Sequence, residues 1–491
     1  MRTVSRVAQN SLALMSGQVY GVVINLLAIS IIARYLSLEI FGKYGFILAV
    51  CVTLSMLADM GINRVAIREI AREGDRDKEI RILTAVVMNK AFLSLVSFAA
   101  IVFVVWVVSG SPRMLLATIL CALATIINIM GDIPEAIFKA YERMRNNALL
   151  KIVEDTSYIL GVLVVVTFDL GLIGIFTALL VSAVIRVVLG IGILSRGYFL
   201  PGFGWDANLM KWIFREALPI GFNRVFRKAA LRIDTIILNV LRTPQEVGIF
   251  HGVYRIILIA SILPFNITEA LFPVYSRYAR HSQESLRVAF EKSFKFLLIL
   301  VLPLVLVVFV LAQPIVHLFL GDKFLTAAPL MRVLVLLLGF RFFTILCTKV
   351  LNASNQQKRA AYASGLALGV NILLDFLLIW LYGYMGAAVA TLISDMILFA
   401  VSMVYVRRHV CPFELGAIVT KPLGLIILAG GVAFCLKPVN GFLALGLPLA
   451  LYVFFLFAFK VFEDDELDVM WGGLRRFQLR LQKADFFDGD S

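Results

Sequence analysis

Apolar stretches of roughly 18 to 25 residues recur along this chain from one end to the other, and no other feature limits its fold as strongly. At about 1.5 Å of rise per residue each stretch is long enough, as a helix, to cross the hydrocarbon core of a bilayer. Strands of a membrane barrel would be shorter and would alternate apolar with polar residues, so helices are implied. The composition agrees, with 61% hydrophobic and only 16% charged residues and a mean hydropathy of +0.92. A soluble domain carries about a quarter charged residues. The spacing predicts an all-α polytopic membrane protein of about fourteen transmembrane helices, near 11–35, 42–63, 82–108, 115–138, 149–168, 171–194, 217–240, 246–271, 295–320, 326–350, 359–381, 385–406, 415–435 and 441–462.

The formal charge of +14 would suggest nucleic acid in a soluble protein. Here the Lys and Arg residues are scattered through short loops, so they read as topology signals and contacts to anionic lipid, and no nucleic-acid partner is expected. The loops alternate. One set carries Arg64, Arg68, Arg72, Arg76 and Arg81, then Lys139, Arg143, Arg145 and Lys151, and so on to Arg407 and Arg408; the other is nearly bare apart from Arg113, Arg242, Lys323 and Lys437. By the positive-inside rule both termini are cytoplasmic. The longer basic loops, about 64–81, 196–216 and 276–294, have the spacing of short interfacial helices, and 463–491 reads as a membrane-surface tail. Arg2 and Arg6 precede an apolar stretch with no small-residue cleavage site, so that stretch is taken as the first membrane helix. The five cysteines have no paired or metal-like spacing, and neither a metal nor a cofactor is expected.

The two halves resemble each other. Leu36-Ser37-Leu38-Glu39-Ile40-Phe41-Gly42-Lys43-Tyr44 joins the first two helices, and Leu241 to Phe250, with one extra residue, joins the seventh and eighth. Gly171-Leu172-Ile173-Gly174 opens the sixth helix as Gly383-Tyr384-Met385-Gly386 opens the twelfth. Tyr141-Glu142-Arg143-Met144-Arg145 answers to Asn355-Gln356-Gln357-Lys358. Six helices per repeat is an even number, so both copies share one orientation. Two lobes related by an axis along the membrane normal follow, an arrangement of secondary transporters. The expected organisation is an N-lobe at 1–195, a cytoplasmic linker at 196–216, a C-lobe at 217–408, peripheral helices at 409–462 and the tail at 463–491.

Ala33-Arg34-Tyr35-Leu36 with Phe41-Gly42-Lys43-Tyr44, Ala58-Asp59-Met60-Gly61 with Arg68-Glu69-Ile70-Ala71-Arg72, and the Tyr141-Glu142-Arg143-Met144 loop carry a resemblance over essentially the whole chain. The sequence resembles the polysaccharide (oligosaccharide) flippases of the multidrug/oligosaccharidyl-lipid/polysaccharide exporter superfamily. The resemblance implies a V-shaped pair of six-helix lobes around a central cavity, which rock to move lipid-linked glycans to the outer leaflet of a prokaryotic cytoplasmic membrane. The implied partners are a polyprenyl-(pyro)phosphate-linked glycan, membrane lipids and other glycan-assembly proteins, for a chain that acts as a monomer.

The charges inside the apolar spans bear on the site. Helix 7 holds Arg224, Arg227, Lys228, Arg232 and Asp234, and at 100° per residue Arg224, Lys228 and Arg232 form one stripe. Each charge costs about 2.5–3.5 kcal/mol at the bilayer centre, so these cations are expected to face the cavity. Guanidinium groups offer fixed donors to phosphate oxygens, so Arg224, Arg227, Lys228 and Arg232 are the expected headgroup site, with Arg255 and Arg341 as further contributors. The competing reading pairs them with Asp234, Glu269, Asp375 or Asp395. Asp132, Glu135, Arg186, Asp234 and Glu269 are candidates for the cavity or its cytoplasmic gate, and Asp59 is expected to pair with Arg64 or Arg68. Asn25, Asn128 and Asn371 read as interhelical hydrogen-bonders, and Phe222, Phe226 and Tyr254 as packing residues. A cation-coupled drug or metabolite antiporter would want an acidic cavity, which the cations of helix 7 oppose. A glycan polymerase or ligase would want a sizeable outer loop, and no nucleophile motif, metal cluster or phosphate loop is present in the sequence. Transport without catalysis is the reading that remains.

Overall fold

The computed structural model describes the backbone of residues 2–458 except 110, 203, 230, 415 and 437–442; the side chains of 2–16, 109, 219–220, 222–229, 417, 433–436, 443–448 and 457 lie outside the described residues, as does the tail at 463–491. Regular structure among the described residues is helical throughout. The first lobe runs through α1 (Arg2–Tyr35), α2 (Leu38–Leu54), α3 (Met56–Asp59), α4 (Ile62–Arg72), α5 (Arg76–Ser109), α6 (Pro112–Ala140), α7 (Met144–Thr167) and α8 (Gly171–Gly197). After α9 (Ala207–Ala229) the second lobe follows as α10 (Ile233–Leu241), α11 (Pro244–Ala260), α12 (Ile262–His281), α13 (Gln283–Val310), α14 (Ala312–Leu320), α15 (Ala328–Ala353) and α16 (Gln357–His409). Last come α17 (Gly416–Leu436) and α18 (Leu443–Ala458), which pack on each other and, from outside, on α13. Nine helical segments among the described residues are long and apolar enough to cross a membrane, and Gln357–His409 holds two spans that turn at Gly383, where φ is 59°. The protein is a multi-pass membrane protein.

The repeat is written into the backbone. Ser37 caps α2 by accepting from the Ile40 N–H at 3.3 Å, and Thr243 caps α11 by accepting from that of Glu246 at 3.4 Å. Gly171 and Gly383, which open matched helices, both take positive φ, +63° and +59°. In the basic loops Glu142 and Asn355 take φ of 56° and 59°, and the next residue in each donates back to a helix carbonyl, Arg143 to Phe138 at 2.7 Å and Gln356 to Leu351 at 2.8 Å. These positions fix the register of the two copies more closely than the residue types do.

The copies meet where α2 crosses α11. A Cβ on Gly42 would collide with the Pro244 carbonyl, and one on Gly248 would stand 2.6 Å from the Leu38 carbonyl. Each lobe thus presents a glycine to the other's helix start, which is what a two-fold relation requires. Around this crossing one hydrophobic core runs through both lobes, with Ile32, Phe41 and Phe46 against Phe250, Leu320 and Phe324. At the opposite end, where the Lys- and Arg-rich loops lie, the first lobe has separate small clusters, one around Ile137, Phe138 and Leu150, another around Val65, Ala66 and Ile213. The lobes are therefore fused at the end with bare loops and parted at the basic end.

Several expected spans are broken. The second stops at Leu54; Met60 (φ 37°) and Gly61 (φ 83°) then turn the chain into α4, whose apolar residues Ile62, Val65, Ala66 and Ile70 are buried. The eighth and ninth divide at Ser261 and Leu311. The basic stretch 276–294 is no separate interfacial helix but the end of α12 and the start of α13. Most consequential, the seventh span is two helices. Its first half, α9, packs chiefly on α4 and α5 of the first lobe, through Ile213 and Ala217; its second half, α10, packs chiefly on α16 of the second lobe, and to a lesser extent on α11 and on α2. Helical periodicity is a local property, and it does not register that the two halves are claimed by different partners.

The connection between the lobes is also tied to the first. Arg76 donates to the Tyr198 carbonyl at 2.5 Å, the Gly202 N–H to Thr84 Oγ1 at 2.8 Å, and Arg68 pairs with Glu216 at 3.0 Å. Tyr141 of the basic loop donates to Glu79 at 2.6 Å, and its ring packs on Tyr198. Burial and that carboxylate push its phenol up to about 12.

Candidate functional site

Between the parted ends lies a cavity of about 660 Å³. The first lobe lines it with Gln18, Asn25, Glu135, Lys139, Asn147 and Lys151, the second with Arg255, Leu258, Phe265 and Asn266. An inner chamber of about 120 Å³ continues from it, sharing Asn25, Lys151 and Arg255 and walled further by Tyr44, Tyr158, Glu154 and Asp155. The cations Lys139, Lys151 and Arg255 thus converge on one space from α6, α7 and α11.

Their partners differ in kind. Lys139 is held by Glu135 at 3.0 Å, one helical turn away, and Lys151 by Asp155 at 2.8 Å and Glu154 at 3.5 Å. Arg255 has no ion pair among the described residues, and neither has Arg232, which stands close enough to Arg255 to feel its charge. Two guanidinium groups within electrostatic reach of each other, with no carboxylate paired to either among the described residues, give the cavity a positive potential that favours an anion.

The expected site residues separate on this geometry. Arg224, Arg227 and Lys228 fall within α9, but their side chains lie outside the described residues, as do those of Phe222 and Phe226. The stripe drawn through Arg224, Lys228 and Arg232 is not continuous, because α9 ends at Ala229 and Arg232 occupies the N-cap position of α10 with φ −138° and ψ −9°. Arg255 lines the cavity. Arg341 does not; its guanidinium is buried, bonded to Asp395 at 2.6 Å and to the Tyr254 hydroxyl at 2.8 Å. Its carboxylate neighbour neutralises it at short range, as the competing reading supposed. Glu269 pairs with Lys349, which also packs over the rings of Phe265 and Phe272.

In the first lobe Glu135 lines the cavity, whereas Asp132 accepts from the buried Arg186 at 2.8 Å. Arg186 also donates to Asn128 Oδ1 at 3.0 Å and approaches Glu154 and Glu135 at 3.7 and 3.8 Å. Asp59 pairs not with Arg64 or Arg68 but with Lys90 of α5 at 3.3 Å. The reversal at Met60 and Gly61 carries the following helix away, and Arg68 instead bonds Glu69 and Glu216.

Asp234 has no ion pair among the described residues either. Fully buried, it accepts from Thr391 at 3.0 Å and lies against the carboxyl of Asp375, itself fully buried, with Asn371 close by. Asp234 Oδ1, both carboxyl oxygens of Asp375 and Asn371 Nδ2 have no hydrogen-bond partner among the described residues. Two carboxylates cannot both stay ionised side by side in such a place without a positive ligand. The lone pairs available there are all on oxygen, the Asn371 amide nitrogen being able only to donate an N–H, so a shared proton or a small hard cation such as Na+ fits.

Sequence reasoning missed the cavity lysines, because Lys139 and Lys151 read as loop charges that set topology. Their spacing from Glu135, Glu154 and Asp155, three or four residues within a helix, was the available signal. For Thr391 there was none.

The comparisons with known proteins meet this geometry. The model of the family described as polysaccharide biosynthesis protein matches residues 7–279. The chain belongs to that family. The MatE model matches residues 219–377 as well. Among curated relatives, the probable low-salt glycan biosynthesis flippase Agl15 of Haloferax volcanii is 23% identical over 413 residues, covering 83% of this chain and 84% of its own. Among solved structures, the lipid II flippase MurJ in an inward closed conformation superposes with a TM-score of 0.75 at 15% identity, over 92% of this chain and 99% of that one. An inward-facing multidrug resistance MATE family transporter gives 0.68, also at 15%, over 82% and 98%. At such identities the structures speak for the fold alone, an all-helical architecture that this member of the polysaccharide biosynthesis family shares with them.

Proposed function

We propose that the protein is a flippase that carries a polyprenyl-phosphate- or diphosphate-linked oligosaccharide from the inner to the outer leaflet of a prokaryotic cytoplasmic membrane, for surface polysaccharide or glycan assembly. Arg255 carries the reading: without an ion pair among the described residues, it lines the cavity together with Lys151 and Lys139, and Arg232 lies within electrostatic reach of it. The phosphate binds there, and charge-assisted hydrogen bonds from the guanidinium groups replace its hydration. The glycan occupies the cavity while the polyprenyl tail stays in lipid between helices. Both termini and the basic loops face the cytoplasm, which makes the described state inward-open. The lobes are 1–195 and 217–408, with 196–216 as linker and 409–462 peripheral. The protein moves its substrate without making or breaking a bond in it, and rocking of the lobes about the α2–α11 crossing exposes the cavity to the other side.

The buried pair Asp234–Asp375 supplies direction by taking up a proton or Na+ in the second lobe, since only a gradient or differential affinity can bias such a cycle. An antiporter of organic cations is the rival reading, supported by the MatE match. The cationic cavity opposes it.

Transport in a deletion strain tests the proposal. Restoring the native chain should restore surface glycan, and restoring a membrane-inserted Arg255→Ala, Arg232→Ala variant should leave lipid-linked precursor to accumulate inside. Normal export by that variant would remove the phosphate site. Deletion without precursor accumulation, in a strain lacking a redundant transporter, would favour the antiporter.

A further inference from the structure

The charged side chains behind the first lobe's cavity wall form one continuous network. Glu135 holds Lys139 at 3.0 Å and comes within 3.8 Å of Arg186; Glu154 lies 3.5 Å from Lys151 and 3.7 Å from Arg186; Asp155 holds Lys151 at 2.8 Å, and Asp132 holds Arg186 at 2.8 Å. The carboxylates Asp132, Glu135, Glu154 and Asp155 outnumber the cations Lys139, Lys151 and Arg186 by one. From α1, Asn25 donates to Asp155 at 3.3 Å; across the cavity the facing charge is Arg255. Of the three cations only the lysines reach the open space, with side chains 38% and 43% exposed against 8% for Arg186.

Lysines that already have carboxylate partners are poor anion receptors, because an arriving phosphate gains only the difference between two pairings. The carboxylates it displaces would be left without a counter-charge in a half-buried wall. Arg186 is placed to prevent that. Its contacts to Glu135 and Glu154, at 3.8 and 3.7 Å, are about 1 Å longer than a charge-assisted hydrogen bond, while Asn128 and Asp132 fix the guanidinium in position. It can therefore close on both as the lysines leave.

We propose that the headgroup phosphate loads by counter-ion exchange: it takes Lys139 and Lys151 from Glu135, Glu154 and Asp155, and Arg186 is the positioning residue that receives Glu135 and Glu154 as they are released, while Asp155 keeps the hydrogen bond from Asn25. The proposal rests on the reading of the cavity as a phosphate site. It assigns Arg186 no contact with substrate. Exchange also makes loading discriminating, since a ligand lacking the charge to displace the internal carboxylates finds both lysines occupied.

The test is titration of the purified full chain in nanodiscs with geranylgeranyl diphosphate, a polyprenyl diphosphate without sugar. Glu135→Gln frees Lys139 and should tighten binding about threefold or more, a direction that damage to the fold does not produce. Arg186→Gln should weaken it about tenfold at neutral pH. That loss should shrink as the pH is lowered, because protonated carboxylates need no counter-charge, and Arg186→Lys should recover most of the affinity. Unchanged or weaker binding by Glu135→Gln overturns the exchange, as does a loss in Arg186→Gln that is equal at every pH. Where Arg186→Gln does not fold, the sign of the Glu135→Gln effect decides. A native chain that does not bind the probe overturns the phosphate reading and the exchange together, whereas native binding with both variants unaltered overturns the exchange alone.

Discussion

The interface between the lobes is built in two ways at its two ends. At the bare end it is closed by shape: Gly42 and Gly248 let two helices touch backbone to backbone, and Phe41 packs edge-on to Phe324 with ring centroids 5.4 Å apart. Cations there seal rather than bind. Arg34 donates to the Leu318 carbonyl at 2.7 Å and that of His317 at 3.1 Å, at the end of α14, and Lys323 donates back to the Arg34 and Leu36 carbonyls at 3.0 and 3.1 Å, at the end of α1. Each lobe caps a helix C-terminus of the other, satisfying carbonyls that a helix leaves free. At the basic end the same residue types stand around a cavity, with carboxylates or nothing as partners. An apolar, close-fitted contact opens only as a unit, whereas paired charges in a wet cavity can change partners one at a time. A transporter needs both, a gate that is open or shut and a site that binds and releases.

The contrast can be broken most forcefully at the crossing. Gly42→Leu drives a side chain into the Pro244 carbonyl, and because backbone cannot yield as a side chain can, the closed end should lose at least about 3 kcal/mol. Thiol labelling from outside whole cells of Leu320→Cys, a position fully buried at the closed end, should rise sharply, and glycan export should stop. Unchanged labelling would mean that the crossing does not govern closure. Next in size, Arg255→Ala should weaken polyprenyl diphosphate binding by about 1.5–3 kcal/mol, the worth of a hydrogen bond to a charged group, without altering that labelling. An effect on both readouts would show that site and gate are not separate. A smaller shift is expected from Arg34→Ala with Lys323→Ala, whose largely exposed bonds are together worth about 1 kcal/mol, so labelling should rise a few-fold while probe affinity holds. Least of all, Glu39→Gln at the same end removes only the exposed pair with Lys43 and should change labelling by less than about twofold.

Much of this molecule is readable before folding. The apolar runs determine a helical membrane protein, since a bilayer leaves no other way to satisfy the backbone of such segments. The order of the repeats could be read from Leu36–Tyr44 and Leu241–Phe250, because a helix cap and a close crossing each restrict residue type locally. Arg255 was legible as well, an isolated cation in an apolar span. What failed were inferences from one helix about its neighbours. Arg224, Lys228 and Arg232 share a stripe only if the helix is continuous, and the division of α9 from α10 depends on packing against α4 and α16, distant in sequence.

Partner choice was likewise decided in three dimensions. Nothing near Arg341 in sequence points to Asp395, nor near Asp59 to Lys90. Asp234 and Asp375 come together because α10 lies on α16, which converts two separate acids into one buried pair that needs a proton or cation between them. The sequence by itself determined that charges lie within the membrane and how costly they would be there. Only the tertiary structure decided which are neutralised and which are left to bind, because Coulomb energy depends on distances between helices, and these follow from how apolar surfaces pack rather than from the order of residues along any one of them.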